Sequence, residues 1–182
     1  EFGRIGIQIC FDVNWWDTWA LLKRKGARLI FFPSAYPAAR QASALALKNQ
    51  VFVVTSPQSG AGRIYDVTGK VMSESGKYQR WTGAVLPLGS RVFETDFNVA
   101  KMREIQRKYG QRVQIDWGHD DDWVTLSSLD PDLTVDDLIL EYDLLPLDDY
   151  RERSTGAIER AREKAPSARD SHVSPKPGKI GP

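Results

Sequence analysis

The sequence predicts an α/β fold, and three observations carry that prediction. A β-forming segment with isoleucine at alternate positions opens the chain (Arg4 to Ile9), a short amphipathic segment follows, and a second apolar run, Ala27 to Phe32, closes a strand–helix–strand unit. A further alternation follows at once: Ala38 to Asn49 is rich in Ala and Leu, and Val51 to Ser56 is again β-branched and aromatic. Finally, Gly26 stands just past a cluster of Lys23, Arg24 and Lys25, where a helix end wants positive charge and a residue free to adopt positive φ.

Taken in order, the first strand is read as buried, and the segment from about Asp17 to Lys25 as a short helix. Ala27 to Phe32 is a second strand ending at Pro33-Ser34, and a parallel pair with a helical crossover follows from the connection length. Arg63 to Tyr65, the turn Asp66-Val67-Thr68-Gly69 and Lys70 to Met72 read as a hairpin, with Gly69 at the positive-φ position. Trp81 to Pro87 and Arg91 to Thr95 are expected as two more short strands, so the sheet mixes parallel and antiparallel pairs. Val99 to Tyr109 is a charged helix stopped by Gly110. Thr134 with Asp136 and Asp137 caps a short helix reaching about Tyr142, and Asp148 to about Lys164 forms a last one. The final stretch, 165–182, holds four prolines, two glycines and three serines and reads as a disordered tail.

Composition narrows the function classes. The chain has 182 residues, 41% hydrophobic, with six tryptophans, which suits a domain of ordinary size and excludes a wholly disordered or collagen-like chain. The longest apolar run is far short of the roughly 20 residues that span a bilayer, so no membrane partner is expected. One cysteine, Cys10, excludes an intramolecular disulfide and a multi-cysteine metal site, and favours a reducing, cytoplasmic compartment. The net charge of +1 conceals segregation: residues 1–110 carry 16 Lys/Arg against 8 Asp/Glu, residues 111–150 carry 1 against 12, and residues 151–182 carry 8 against 4. The basic residues are scattered rather than striped with aromatics, which argues against nucleic acid. The acidic stretch is expected to cover part of the basic body or a partner subunit.

Chemistry concentrates at Gly6-Ile7-Gln8-Ile9-Cys10-Phe11-Asp12, followed some twenty residues later by Phe32-Pro33-Ser34-Ala35. A thiol at the end of a strand, on a sharp turn into a helix, is held rigidly beside backbone N–H groups, as an acyl-transfer nucleophile requires. A small buried side chain is the competing reading of a lone cysteine. Asn14 can hydrogen-bond a neutral amide, Trp15 or Trp16 can wall an apolar pocket, and Ser34, Ala35 and Tyr36 flank the same crevice. Asn49 is read as tying down its helix end. His119 with Asp116, Asp120, Asp121 and Asp122 invites a metal reading, but consecutive aspartates point in different directions and suit a solvated loop better. His172 has no evident partner.

The stretch from Gly3 to Asp12 resembles the nucleophile segment of the nitrilase, or carbon–nitrogen hydrolase, superfamily, and three later segments agree in order: Ala27 to Ala35, Ala44 to Val54, and Arg63 to Val71. The resemblance covers about residues 3–96 and implies half of an α-β-β-α sandwich, the carboxyl-terminal half of the family domain. It further implies a Glu–Lys–Cys site with Cys10 as nucleophile, the Phe11 backbone N–H in the oxyanion hole, no metal or organic cofactor, a small amide or carbamoyl substrate, and a homo-oligomer of two or more subunits. Phe11-Asp12 after the cysteine is similar to the amidase and carbamoylase side of the family. The family's glutamate and lysine precede the cysteine, where this chain has nine residues; neither Glu1 nor Arg4 sits in the corresponding motif. The chain is therefore expected to be a fragment that is inactive alone, with an open sheet edge, and with a thiol titrating near its ordinary value of about 8.5.

The organisation expected is a half-domain over 1–96, a helical acidic arm over 97–150 that reaches across a subunit interface, a charged helix over 151–164, and the tail. Two rival functions are a non-catalytic, nitrilase-like binding or assembly module, and a metal-dependent hydrolase at His119.

Overall fold

A computed structural model describes residues 3–118 and 120–164. The expectations for the tail, His119 and His172 lie outside the described residues. Two compact units divide the chain, Glu1–Leu147 and Asp148–Pro182.

The larger unit holds two sheets. The first has five strands in sequential order: β1 (Arg4–Ile7), β2 (Ala27–Ser34), β3 (Phe52–Pro57), β4 (Arg63–Tyr65) and β5 (Val71–Glu74). β1, β2 and β3 run parallel, and β3, β4 and β5 antiparallel, giving the mixed sheet that the alternating sequence predicts. Two helices, α1 (Trp16–Arg24) and α2 (Ala39–Asn49), cross between the parallel strands. Their apolar stripes bury Trp19 and Leu45 against Ile30, Phe32 and Val53 on one face of the sheet. Gly6 permits this approach, since a Cβ there would lie 2.8 Å from Leu22 Cδ1. Asn49 does hold its helix end: it is buried and its Nδ2 donates to the Leu45 carbonyl at 2.9 Å. At the hairpin turn Gly69 has φ +79°, and its carbonyl accepts from Ser43 Oγ at 2.7 Å, tying the turn to α2.

The first strand differs from its reading as buried. β1 is an edge strand paired with β2 alone, helices cover only its Gly6 face, and Ile5, Ile7 and Ile9 are 45%, 58% and 59% exposed. Alternation set the isoleucines on a common face, and nothing described lies over it.

The second sheet, in the order β6 (Arg91–Glu94), β8 (Trp123–Ser128), β7 (Val113–Gly118), is antiparallel throughout. Helices α3 (Val99–Tyr109) and α4 (Val135–Tyr142) bury Met102, Ile105 and Leu138 against Phe93, Val124 and Leu126 on one face of it. The expectation of a helical arm over 97–150 is corrected here, because Val113–Gly118 and Trp123–Ser128 pair as the antiparallel strands β7 and β8. Val113, Ile115 and Trp117 alternate with Gln114 and Asp116, a period of two that the acidic residues obscured. The strand expected over Trp81 to Pro87 is irregular instead. Trp81 and Val85 are 73% and 91% exposed, and although the Thr82 hydroxyl meets that of Ser73 on the edge strand β5, the backbones form no ladder there.

Acidic residues after 111 do cover basic ones before it. Arg91 pairs with Asp136 at 2.9 Å and Lys101 with Asp143 at 3.8 Å, and Lys108 with Glu141 forms a further pair. Exposed pairs of this kind contribute little to stability and chiefly fix how the segments lie together. In the smaller unit most of α5 (Leu147–Lys164) is a single polar helix with Asp148 and Asp149 in its first turn. No helix among the described residues is long and apolar enough to cross a membrane.

Candidate active site

Cys10 stands where β1 gives way to α1. The Gln8 N–H still donates to the Phe31 carbonyl at 3.0 Å, continuing the parallel ladder, and the chain then turns sharply. Cys10 takes a left-handed conformation, φ +49°, and starts a 3-10 turn over Cys10–Asn14. A non-glycine residue held there costs roughly 1–2 kcal/mol, which the surroundings must impose. Asp12 does so. Its carboxylate accepts the Ile9 N–H at 2.8 Å, its own N–H donates to the Ile9 carbonyl at 2.9 Å, and its carbonyl accepts Nε1 of the fully buried Trp19 at 3.0 Å. The core of the first sheet thus fixes the turn that carries the thiol. Sequence reasoning did not assign Asp12 this role, although a carboxylate three residues after Ile9 is the capping-box spacing.

Three N–H or O–H groups converge on the half-buried thiol. The Ala35 backbone N–H acts most strongly, then the Ser34 hydroxyl, and more weakly the Phe11 N–H. Together they hold the thiol below its ordinary range against partial burial and the Asp12 carboxylate, which push it up. The expectation of an ordinary thiol is thereby corrected: backbone and hydroxyl donors lower the pKa without a base or ammonium nearby. The loop supplying them is itself fixed. The Gln58 N–H donates to the Ser34 carbonyl at 2.8 Å, Ser59 Oγ to the Ala35 carbonyl at 3.2 Å, and the Tyr36 N–H to Ser34 Oγ at 3.2 Å. Tyr36 packs its ring against the core beneath.

Of the residues singled out from sequence, the structure brings Cys10, Phe11, Ser34 and Ala35 together, with Tyr36 bracing the loop. Asn14 and Trp15 lie on the same turn and spend their polar groups locally. Asn14 Nδ2 donates to the Phe11 carbonyl at 3.1 Å and its Oδ1 accepts Gln41 Nε2 at 3.4 Å, while the Trp15 carbonyl accepts Thr18 Oγ1 at 2.7 Å and its ring is 55% exposed. Trp16 carries Lys48 Nζ over its ring at 4.3 Å. Among the described residues no group of three or more His, Cys, Asp or Glu could hold a metal ion. A cleft of about 540 Å³ opens between the β4–β5 turn and the polar face of β7 and β8. It lies toward the amino end of the parallel strands, away from Cys10, and is not part of this site.

With the strand-end thiol and its donors in place, the chain can be set against known proteins. Residues 1–87 match the family of the carbon–nitrogen hydrolases. This segment, just under half of the chain, is similar to the nitrilase superfamily. The match ends just before β6, so the second sheet and α5 lie beyond it. A nitrilase and fragile histidine triad fusion protein, NitFhit, of Drosophila melanogaster is 37% identical over 65 residues, covering 32% of this chain and 14% of that protein. The structure of Saccharomyces cerevisiae Nit3, a member of branch 10 of the nitrilase superfamily, is 29% identical, with a TM-score of 0.38, over 43% of this chain and 35% of that one. The Caenorhabditis elegans NitFhit structure is 25% identical, with a TM-score of 0.45, over 60% of this chain and 29% of that one. The chain therefore spans well under half the length of each relative.

Proposed function

We propose that this chain carries the nucleophile of an enzyme that hydrolyses a small non-peptide carbon–nitrogen bond, an amide or N-carbamoyl group, through a thioester on Cys10. The observation that carries the reading is the Cys10 thiol, set on a left-handed turn at a strand end and held below its ordinary range by the Ala35 N–H, the Ser34 hydroxyl and the Phe11 N–H. The match of residues 1–87 to the carbon–nitrogen hydrolase family supports it.

In this reading the Cys10 thiolate attacks the carbonyl carbon, and the carbonyl π electrons move to oxygen, where the Phe11 N–H stabilises the oxyanion. Collapse breaks the C–N bond, the amine leaves with a proton from a general acid, and a thioester remains. Water, deprotonated by the same group, then attacks the thioester and releases acid and thiolate. Asn14, Trp15, Ser34, Ala35 and Tyr36 border the space where substrate would sit. Thiolate chemistry of this kind uses no metal or organic cofactor. The glutamate base and the lysine that the family's chemistry employs are assigned to polypeptide outside these 182 residues. The exposed isoleucines of β1 support that assignment. Assembly into dimers or larger, in the cytoplasm, belongs to the same proposal.

The test is turnover of small primary amides and N-carbamoyl compounds by the intact protein and by Cys10→Ala, with mass spectrometry of the quenched reaction. A loss of about 10³-fold or more in the variant and an acyl adduct on Cys10 in the parent are expected. Turnover retained by Cys10→Ala would remove the nucleophile and the reading with it. Sedimentation of the same protein as a monomer would remove the oligomer.

A further inference from the structure

Among the described residues β1, β5, β6 and β7 stand at sheet edges, and the first three have their outer sides accounted for. β1 carries the isoleucine row assigned above to further polypeptide, Ser73 of β5 meets the Thr82 hydroxyl, and β6 is bridged from Phe93 to Pro146. β7 pairs with β8 on one side, and no described strand pairs with the other. Its sequence, Val113-Gln114-Ile115-Asp116-Trp117-Gly118, holds no proline or lysine, and its register with β8 has no bulge, so two common means of blunting an edge are missing. A groove of about 230 Å³ runs between α3 and this strand, lined by Arg103, Gln106 and Arg107 from the helix and by half-buried Ile115 and Trp117 from β7.

Charge is distributed along this edge in one direction. Arg103 and Arg107 come before the strand, are exposed, and form no ion pair among the described residues. Asp120, Asp121 and Asp122 come after it, in the turn into β8, equally exposed and equally unpaired. An edge that is basic before its strand and acidic after it repels a copy of itself laid parallel and attracts one laid antiparallel. Antiparallel is also what a two-fold axis produces when the same strand supplies both sides.

We propose that β7 is the contact edge for a second copy of this chain: two β7 strands pair antiparallel about a two-fold axis, joining two three-stranded sheets, with Arg103 and Arg107 of each copy facing the Asp120–Asp122 turn of the other. Backbone N–H and C=O groups supply the pairing, Ile115 and Trp117 the apolar contact, and charge the direction. The division of the sequence into a basic part and an acidic part gains a use here. Within one chain Asp136, Asp143 and Glu141 cover Arg91, Lys101 and Lys108, and the charges left over on α3 and on the turn are complementary between chains. This surface deepens the assembly part of the proposed function and rests on no other part of it.

The test is sedimentation velocity of the full 182-residue chain over a range of concentrations. The parent is compared with Arg103→Glu/Arg107→Glu, with Asp120→Lys/Asp121→Lys, and with an equimolar mixture of these two variants. The parent is expected to dimerise, more weakly as salt rises from about 50 mM to about 500 mM. Each variant alone is expected to lose roughly 100-fold in association, because like charges then face each other at both ends. The mixture is expected to recover it, since each introduced Glu meets an introduced Lys and each remaining Asp meets an Arg. The milder Arg103→Gln/Arg107→Gln should lose roughly tenfold. Amide exchange over 113–118, read by mass spectrometry, should slow as the parent dimerises. A parent that stays monomeric, folded variants that associate as the parent does, a mixture that stays apart, or exchange over 113–118 indifferent to concentration would each overturn the proposal. An intact protein that still sedimented as an oligomer after such a result would keep the assembly and lose this surface, and the Cys10 chemistry stands or falls apart from both.

Discussion

The two sheets of the larger unit finish their open faces in opposite ways. Both bury a dense apolar layer under two helices. On the side away from the helices, the first sheet buries Leu29, Phe52 and Ile64 but leaves Ile5, Ile7 and Phe31 45%, 58% and 37% exposed toward its β1 edge, whereas the second mixes exposed Gln114 and Asp116 with fully buried Val92 and half-buried Trp123 and Thr125. An apolar row open to solvent at a sheet edge is suited to receive another apolar layer, and the mixed face is nearer to complete. The carbon–nitrogen hydrolase match covers the first sheet and stops before the second. The open apolar row therefore lies within the matched segment, and the mixed face beyond it.

The largest effects should fall on the helix-covered sides. Phe93 is fully buried in the second core, and Phe93→Ala is expected to cost about 3–5 kcal/mol by urea unfolding. Ile7→Ser, on the open face of the first sheet, should leave stability within about 0.5 kcal/mol. If Ile7→Ser destabilised as severely as Phe93→Ala, that face would be covered in solution and the contrast between the sheets would fail.

Much of this arrangement was legible in the residues. The Arg4–Ile7 and Ala27–Ser34 strands, the α1 and α2 crossovers, the Asp66–Gly69 turn and the Thr134 cap follow from local patterns, and each is satisfied by neighbours close in sequence. What was hidden depended on long-range pairing. Val113–Gly118 and Trp123–Ser128 form strands because β6 and the α3 face await them, and Trp81 to Pro87 forms none although it meets the β5 edge through the Thr82 hydroxyl. At the site, position was readable and electrostatics was not. Cys10 at a strand end and Ser34 in the next loop follow from the strand–helix–strand reading, but the thiol's pKa depends on which N–H and O–H groups point at it, and that orientation follows from the three-dimensional register. Asp12 escaped notice because its work is done through a side-chain bond to a backbone N–H one turn back.

A smaller effect separates adjacent residues of β1. Gly6 faces α1, where a Cβ would sit 2.8 Å from Leu22 Cδ1 and 3.3 Å from Ile30 Cγ1. The nearest atom is the tip of a flexible side chain, so Gly6→Ala is expected to cost roughly 1–2 kcal/mol in the same unfolding experiment, at the low end for overpacking. With Ile7→Ser near zero, the pair would show one strand with a closed side and an open one. A neutral Gly6→Ala would mean that α1 packs less tightly than the distances state.

The smallest effect tests how the appended segment is completed by local bonds. Thr134 Oγ1 accepts the Asp137 N–H at 3.0 Å, and the Asp137 carboxylate accepts the Thr134 N–H at 2.9 Å, so each residue satisfies a backbone donor of the other at the start of α4. Thr134→Ala should cost roughly 0.5–1 kcal/mol near neutral pH. Hydrogen bonds from the Thr134 hydroxyl and N–H hold the Asp137 carboxyl below its usual range. A carboxyl whose pKa is depressed by folding contributes stability above its unfolded value and loses it as pH falls through the folded one. The gap between parent and Thr134→Ala should therefore narrow on acidification below the ordinary carboxylate range. A gap that stayed constant to the lowest pH would show that the hydroxyl acts on the helix backbone alone, and that the Asp137 charge has no share in closing off the second sheet's helical side.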